Sequence, residues 1–187
     1  MPTIEEFLDD AKRRMDKSIA TTRTEFNSVR TGRASAALLD RITIDYYGTP
    51  TPLKNMATIG VPEPRLLTVQ PFDPTQIKAI EKAIQESDLG LTPSNDGKVV
   101  RLPIPQLTEE RRKELVKLVR RYGEDGKIAI RNVRRDVMKN LEELVKNGEV
   151  GDDEERRGEA QVQKLIDEHT KSIDELIRNK ESEIMEV

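Results

Sequence analysis

Apolar and small side chains recur at Ile4, Leu8, Ala11, Met15, Ile19, Thr22, Phe26 and Val29, three or four residues apart. That period gathers them on one side of an α-helix. Thr3 and Glu6 open the segment as a capping box, each side chain satisfying the other residue's free backbone N–H. The pattern stops at Arg30-Thr31-Gly32, where glycine is the expected terminator.

From Arg33 to Pro105 the period changes. Ile42, Ile44 and Tyr46 alternate with polar residues, the signature of a half-buried strand. Gly48-Thr49-Pro50-Thr51-Pro52 is expected to turn the chain, and Ala57 to Val61 and Leu66 to Val69 read as further short strands. Pro74 starts an amphipathic helix carrying Ile77, Ile80 and Ile84 and ending near Leu89-Gly90. Pro93 to Gly97 reads as a loop and Val99 to Leu102 as a last strand.

Helical spacing returns at Thr108, an N-cap followed by Glu109 and Glu110, which suit the positive end of a helix dipole. Leu115, Leu118, Tyr122, Ala129, Val133, Val137, Leu141 and Leu144 form its expected stripe, and Asn147-Gly148 ends it. Asp152-Asp153 begins a third helix with Val162, Leu165, Ile166, Ile173, Ile177 and Ile184. Helices of about 28, 38 and 34 residues would be about 42, 57 and 51 Å long. A short turn joins the second and third, so they should pack antiparallel, with the first completing the bundle. The expected fold is α+β: an elongated antiparallel three-helix bundle from residues 1–30 and 106–187, with a small β/α/β domain, 31–105, inserted on two linkers. Few contacts need cross such linkers, so a hinge is expected there.

Charge sharpens the picture. Net charge is only −3, yet Arg111 to Lys139 holds eleven Lys/Arg against four Asp/Glu, and Glu149 to Val187 six against thirteen. On a wheel of 100° per residue, Lys113, Lys117, Arg120, Lys127, Arg131, Arg134 and Arg135 share one arc, interrupted by Glu124 and opposite the expected stripe. This line of cations is about 33 Å long. Either it is a solvated face answered by acids of the third helix, or it meets a polyanion. The arc holds too few acids to neutralise it, and Arg forks grip phosphate bidentately. With aromatics at 3% and no Trp, base stacking is poorly served, so the backbone of a folded RNA is the better partner.

Much else is excluded. The absence of Cys removes disulfides, thiolate catalysis and Cys-based zinc sites. A single His169, beside the third helix's apolar stripe, reads as structural, and Asp152 to Glu155 as a helix start rather than a metal site. Gly123 and Gly126 inside the second helix allow either close packing or a bend. Glycines form no phosphate-cradling loop, so no active site and no cofactor are expected. No apolar run reaches the ~20 residues a membrane span needs, and the acidic MPTIEEFLDD start is unlike a signal peptide, so the expected location is cytoplasmic. No apolar stripe is left over, which suits a monomer.

Several stretches together resemble a known family. They are Arg30-Thr31-Gly32-Arg33-Ala34-Ser35, Tyr46-Tyr47-Gly48-Thr49-Pro50-Thr51-Pro52-Leu53, Asp88-Leu89-Gly90-Leu91, Leu107-Thr108-Glu109-Glu110-Arg111-Arg112-Lys113 and Arg131-Asn132-Val133-Arg134-Arg135-Asp136. In this order the chain resembles bacterial ribosome recycling factor along its whole length. The resemblance implies an L-shaped, transfer-RNA-like, two-domain molecule that is no enzyme. Such a factor binds the post-termination ribosome on large-subunit ribosomal RNA. With elongation factor G, which hydrolyses GTP, it promotes subunit dissociation and release of mRNA and tRNA. Carried over by residue, Arg131 and Arg134 would hold RNA phosphates, with Arg30, Gly32 and Arg33 beside them and Arg112 at the second junction. Lys127 and Arg135 extend that set along the stripe, and Thr31, Gly32, Pro103 and Pro105 would form the hinge. The competing expectations are a ribosome- or structured-RNA-binding protein without splitting activity, and a helical adaptor for protein partners.

Overall fold

The structure is a computed structural model describing residues 2–186. Three long helices, α1 (Ile4–Asn27), α3 (Glu109–Lys146) and α4 (Asp152–Met185), belong to one compact unit, the chain up to Arg30 together with Glu110–Glu186. Thr31–Glu109 forms the other, with strands β1 (Thr43–Tyr46), β2 (Thr49–Pro52), β3 (Ala57–Glu63), β4 (Leu66–Pro71), β5 (Ser94–Asn95) and β6 (Val100–Pro103) and the helix α2 (Ile77–Glu86). Each unit has its own hydrophobic core.

The capping box forms at α1: Glu6 N–H donates to Thr3 Oγ1 at 3.2 Å and Thr3 N–H to Glu6 Oε2 at 2.7 Å. The other end differs from expectation. The helix ends at Asn27, and Gly32 lies beyond it with φ 77°. Ser28 does the capping, its backbone N–H reaching Thr24 and Glu25 and its hydroxyl donating to Glu25 O at 2.6 Å. At the end of α3 glycine does act: Gly148, at φ 71°, sends its N–H to Val145 O while Glu149 N–H reaches back to Leu144 O, a Schellman motif. Glu154 then returns to the Gly151 N–H to open α4.

Contacts fix the helix directions. Arg14 meets Asp136 at 2.7 Å while Thr22 sits against Gly126 and Phe26 near Gly123, so α1 and α3 are antiparallel. Gly123 faces Ile177, Gly126 faces Ile173 and Gly158 faces Leu141, so α3 and α4 are antiparallel too. Between them lie Ala11, Met15, Ile130, Val133, Val137, Leu141, Val162, Ile166 and Ile173. The α3 seam corrects the expected stripe. It runs Leu115, Val119, Gly123, Gly126, Ile130, Val133, Val137, Leu141, Leu144, whereas Leu118, Tyr122 and Ala129 are only half-buried. Both glycines serve close packing: a Cβ at Gly123 would lie 2.7 Å from Ile177 Cγ1, and one at Gly126 would collide with the Thr22 hydroxyl.

In the smaller unit the turn lies earlier than expected. Tyr47 (φ 51°) and Gly48 (φ 83°) are both left-handed, the type I′ geometry of a two-residue hairpin loop, and Thr49–Pro52 is a strand paired with β1. A two-stranded ribbon leaves each strand a free edge, where proline's missing N–H is tolerated. The second sheet has the order β3-β4-β6-β5, antiparallel throughout, and β5 lies within the stretch expected to be loop. Leu67, Val69, Val100 and Leu102 point inward from β4 and β6, meeting Ile77, Ile80 and Ile84 of α2, which stops at Glu86 rather than near Gly90.

Candidate nucleic-acid interface

The corrected seam changes where the basic arc lies. Seam and arc are centred about 100° apart on α3 rather than opposite each other. The cations therefore flank the core, close enough to α4 for its acids to reach some of them. Arg120 Nε donates to Glu181 Oε1 at 2.6 Å, a hydrogen bond that, with the carboxylate's charge, raises the guanidinium's affinity for its proton. Lys127 Nζ is ion-paired with Asp174 Oδ1. Within α3, Arg131 Nη2 reaches Glu124 Oε1 at 2.5 Å, and Arg135 Nη2 donates to the neutral Asn132 Oδ1 at 2.6 Å. Arg134 is exposed, and among the described residues its side chain has neither ion pair nor hydrogen bond.

The stretches of the charge run thus differ in how closely carboxylates answer them. Acids of α4 answer the stripe at Arg120 and Lys127, while among the described residues Arg134 has no ion pair and Arg135 hydrogen-bonds a neutral amide, with only a longer-range attraction to Asp136. Lys127, Arg131 and Arg134 line one wall of an open groove of about 510 Å³. Its other wall belongs to α4 and carries Lys171 and Arg178. Sequence reasoning missed these two because the acid count of the last segment averaged them away. Helical spacing was the available signal, since seven residues put them on one face.

The remaining candidates are more scattered. Arg30 and Arg33 are exposed on either side of Thr31-Gly32, which are buried, and Arg30 belongs to the helical unit while Arg33 belongs to the other. Arg112 lies in the first turn of α3, half-buried, and its Nε has no hydrogen-bond partner among the described residues. Pro103 is not in a free linker: it closes β6 opposite Leu66, and the next residue, Ile104, donates its N–H to Arg65 O at 2.8 Å. Pro105 follows, exposed, before α3 begins. His169, 7% exposed, stands with Nδ1 2.6 Å from Leu165 O and Nε2 2.7 Å from Asp16 Oδ1, linking α4 to α1. Asp152 to Glu155 form the first turn of α4, and among the described residues no three His, Cys, Asp or Glu are grouped to hold a metal ion. Among the described residues no helix is long and apolar enough to cross a membrane. What the helical unit offers chemically is a fixed row of guanidinium and ammonium groups.

Known proteins resemble the chain in sequence and in fold. The family model for ribosome recycling factor matches residues 22–185. The ribosome-recycling factor of Rubrobacter xylanophilus is 56% identical over 180 residues, 96% of this chain and 97% of that one. That of Geobacillus kaustophilus is 55% identical over 180 residues, again 96% and 97%. A solution structure of ribosome recycling factor matches with a TM-score of 0.77 at 39% identity, covering 100% of both chains. The T. thermophilus factor, described with E. coli elongation factor G bound to the E. coli post-termination complex, gives 0.66 at 45% identity, covering 98% of this chain and 100% of that one. With a family model spanning most of its length and more than half its residues shared with such relatives, the chain belongs to the ribosome recycling factor family.

Proposed function

We propose that the chain recycles ribosomes. It binds the post-termination ribosome by setting the basic side of α3 against phosphates of large-subunit ribosomal RNA. With elongation factor G, it promotes subunit separation and release of mRNA and tRNA. GTP is spent by that partner, and this chain needs no cofactor of its own, acts as a monomer and works in the cytoplasm. The association with elongation factor G follows the T. thermophilus relative, described with that factor on the post-termination complex.

Arg134 is the observation that carries the anchoring step. An exposed guanidinium with no side-chain partner keeps its full charge and all its donors for a phosphate. Arg131, one turn away, gives up only an exposed pair with Glu124, and such pairs contribute at most about 1 kcal/mol. Two bodies with separate cores, joined by two backbone crossings, suit a device in which one is anchored and the other pushed.

The test is a subunit-splitting assay with post-termination ribosomes, elongation factor G and GTP. Splitting should depend on the chain, and Arg134→Ala should need at least tenfold more protein for the same rate. Saturating binding without splitting would leave an RNA-binding protein and overturn the proposal.

A further inference from the structure

The α4 wall of the groove supports an inference that rests on the reading above and goes beyond it. Lys171 and Arg178 lie two turns apart on the same side of α4, facing the groove that Lys127, Arg131 and Arg134 line. Like Arg134, neither makes a side-chain ion pair or hydrogen bond among the described residues. The antiparallel register, fixed by Lys127 with Asp174 and Gly123 with Ile177, interleaves the two walls. Lys171, one turn before Asp174, comes level with the stretch between Arg131 and Lys127. Arg178, one turn after Asp174, falls just past Lys127 on the other side. The cations then succeed one another as Arg134, Arg131, Lys171, Lys127, Arg178 along about 18 Å of groove.

Five cations line the groove with two carboxylates, Asp174 and Asp167, and Glu124 outside it pairs with Arg131, which leaves an excess of two positive charges. Asp174 is engaged by Lys127 and Asp167 accepts from Gln163 Nε2 at 2.9 Å. The row is too long for one small anion and has no aromatic ring for a base to stack on. Its charge and spacing fit successive phosphates of one RNA backbone.

We propose that the groove between α3 and α4 is a two-walled phosphate track, in which one strand of folded ribosomal RNA is gripped by Arg131 and Arg134 from α3 and by Lys171 and Arg178 from α4. The helix that carries the chain's acidic excess thereby holds half of the anchor.

The probe is the isolated large ribosomal subunit, with binding measured across a salt series. The double variant Lys171→Ala/Arg178→Ala should flatten the slope of log affinity against log salt by about 1.5 to 2, as for two lost phosphate contacts. Affinity at about 0.1 M salt should fall at least tenfold, while thermal melting stays unchanged because neither side chain holds another. Asp174→Asn, which removes a carboxylate and releases Lys127, should bind more tightly than wild type. A photoreactive group at position 178 should crosslink to ribosomal RNA. If the double variant binds like wild type while Arg134→Ala is weakened, the track has one wall and the inference fails with the proposed function intact. If both variants bind like wild type, RNA anchoring on this side of the bundle fails as well. Crosslinking to a ribosomal protein alone would replace RNA as the occupant and overturn the inference.

Discussion

Arg120 Nε and Glu181 Oε1 lie 2.6 Å apart across the α3–α4 seam, and this pair marks where the basic stripe is answered by the acidic helix. About three to four turns further along α3, Arg131, Arg134 and Arg135 have no such partner on α4. The stripe is therefore graded, quenched at one stretch and open at the next. Counting charges along the chain conceals this, because the acids that quench it are distant in sequence and near only once the helices pack.

The pairing at Arg120 should matter little for stability. The Glu181 side chain is only 23% exposed, but the guanidinium is 67% exposed, and a pair open to water on that side is worth at most about 1 kcal/mol. We expect Glu181→Gln to shift the urea midpoint by no more than that figure converts to. A loss of several kcal/mol would mean the pair is a structural clamp.

Gly126→Ala should reverse the usual sign of such a change. In an exposed helix it would add about 1 kcal/mol of stability. Here the new methyl would meet the Thr22 hydroxyl and lie 3.0 Å from Ile173 Cδ1. Thr22 is buried and its hydroxyl donates to Ser18 O at 2.9 Å, so turning it aside breaks a part-buried hydrogen bond. We expect a loss of about 1 to 3 kcal/mol in chemical denaturation, the range for an overpacked core. A gain would show that the helices can move apart at no cost.

These residues also show how far the chain could be read before folding. The capping box at Thr3 and Glu6, the three long helices and the buried Ile77, Ile80 and Ile84 were legible because local spacing alone determines them. The α3 seam was not: glycine carries no apolar signal, so Gly123 and Gly126 dropped out and Leu118, Tyr122 and Ala129 drew the expected stripe aside. Tyr47, in a left-handed conformation that favours Asn or Gly, hid the hairpin turn, and Pro50 and Pro52 suggested one where a strand runs. At the interface, Arg131 and Arg134 were visible on their own helix. Lys171 and Arg178 join that row only once α4 is laid beside α3.

Acid should act on the smaller unit through Asp96. Its carboxylate accepts from the backbone N–H groups of Val99 and Lys98 and from Arg101 Nη1, at 2.9, 3.0 and 2.9 Å. These hydrogen bonds, that from Val99 foremost, hold its carboxyl well below the usual carboxylate range. A depressed value in the folded state means the contribution is present above the unfolded-state pKa, about 4, and fades as pH falls below it. We expect Asp96→Asn to be less stable than wild type at pH 6, with the gap narrowing toward pH 2 to 3, read from urea midpoints. A gap that stays constant with pH would remove the charge from the explanation.

Binding of Arg134→Ala and wild type to isolated large ribosomal subunits, measured side by side across a salt series, tests the anchoring role of α3 most directly. Contact with several phosphates makes log affinity fall steeply with log salt, and removing one contact should make the slope shallower by about 1. A wild-type affinity indifferent to salt, or an Arg134→Ala line that overlays the wild type, would contradict it.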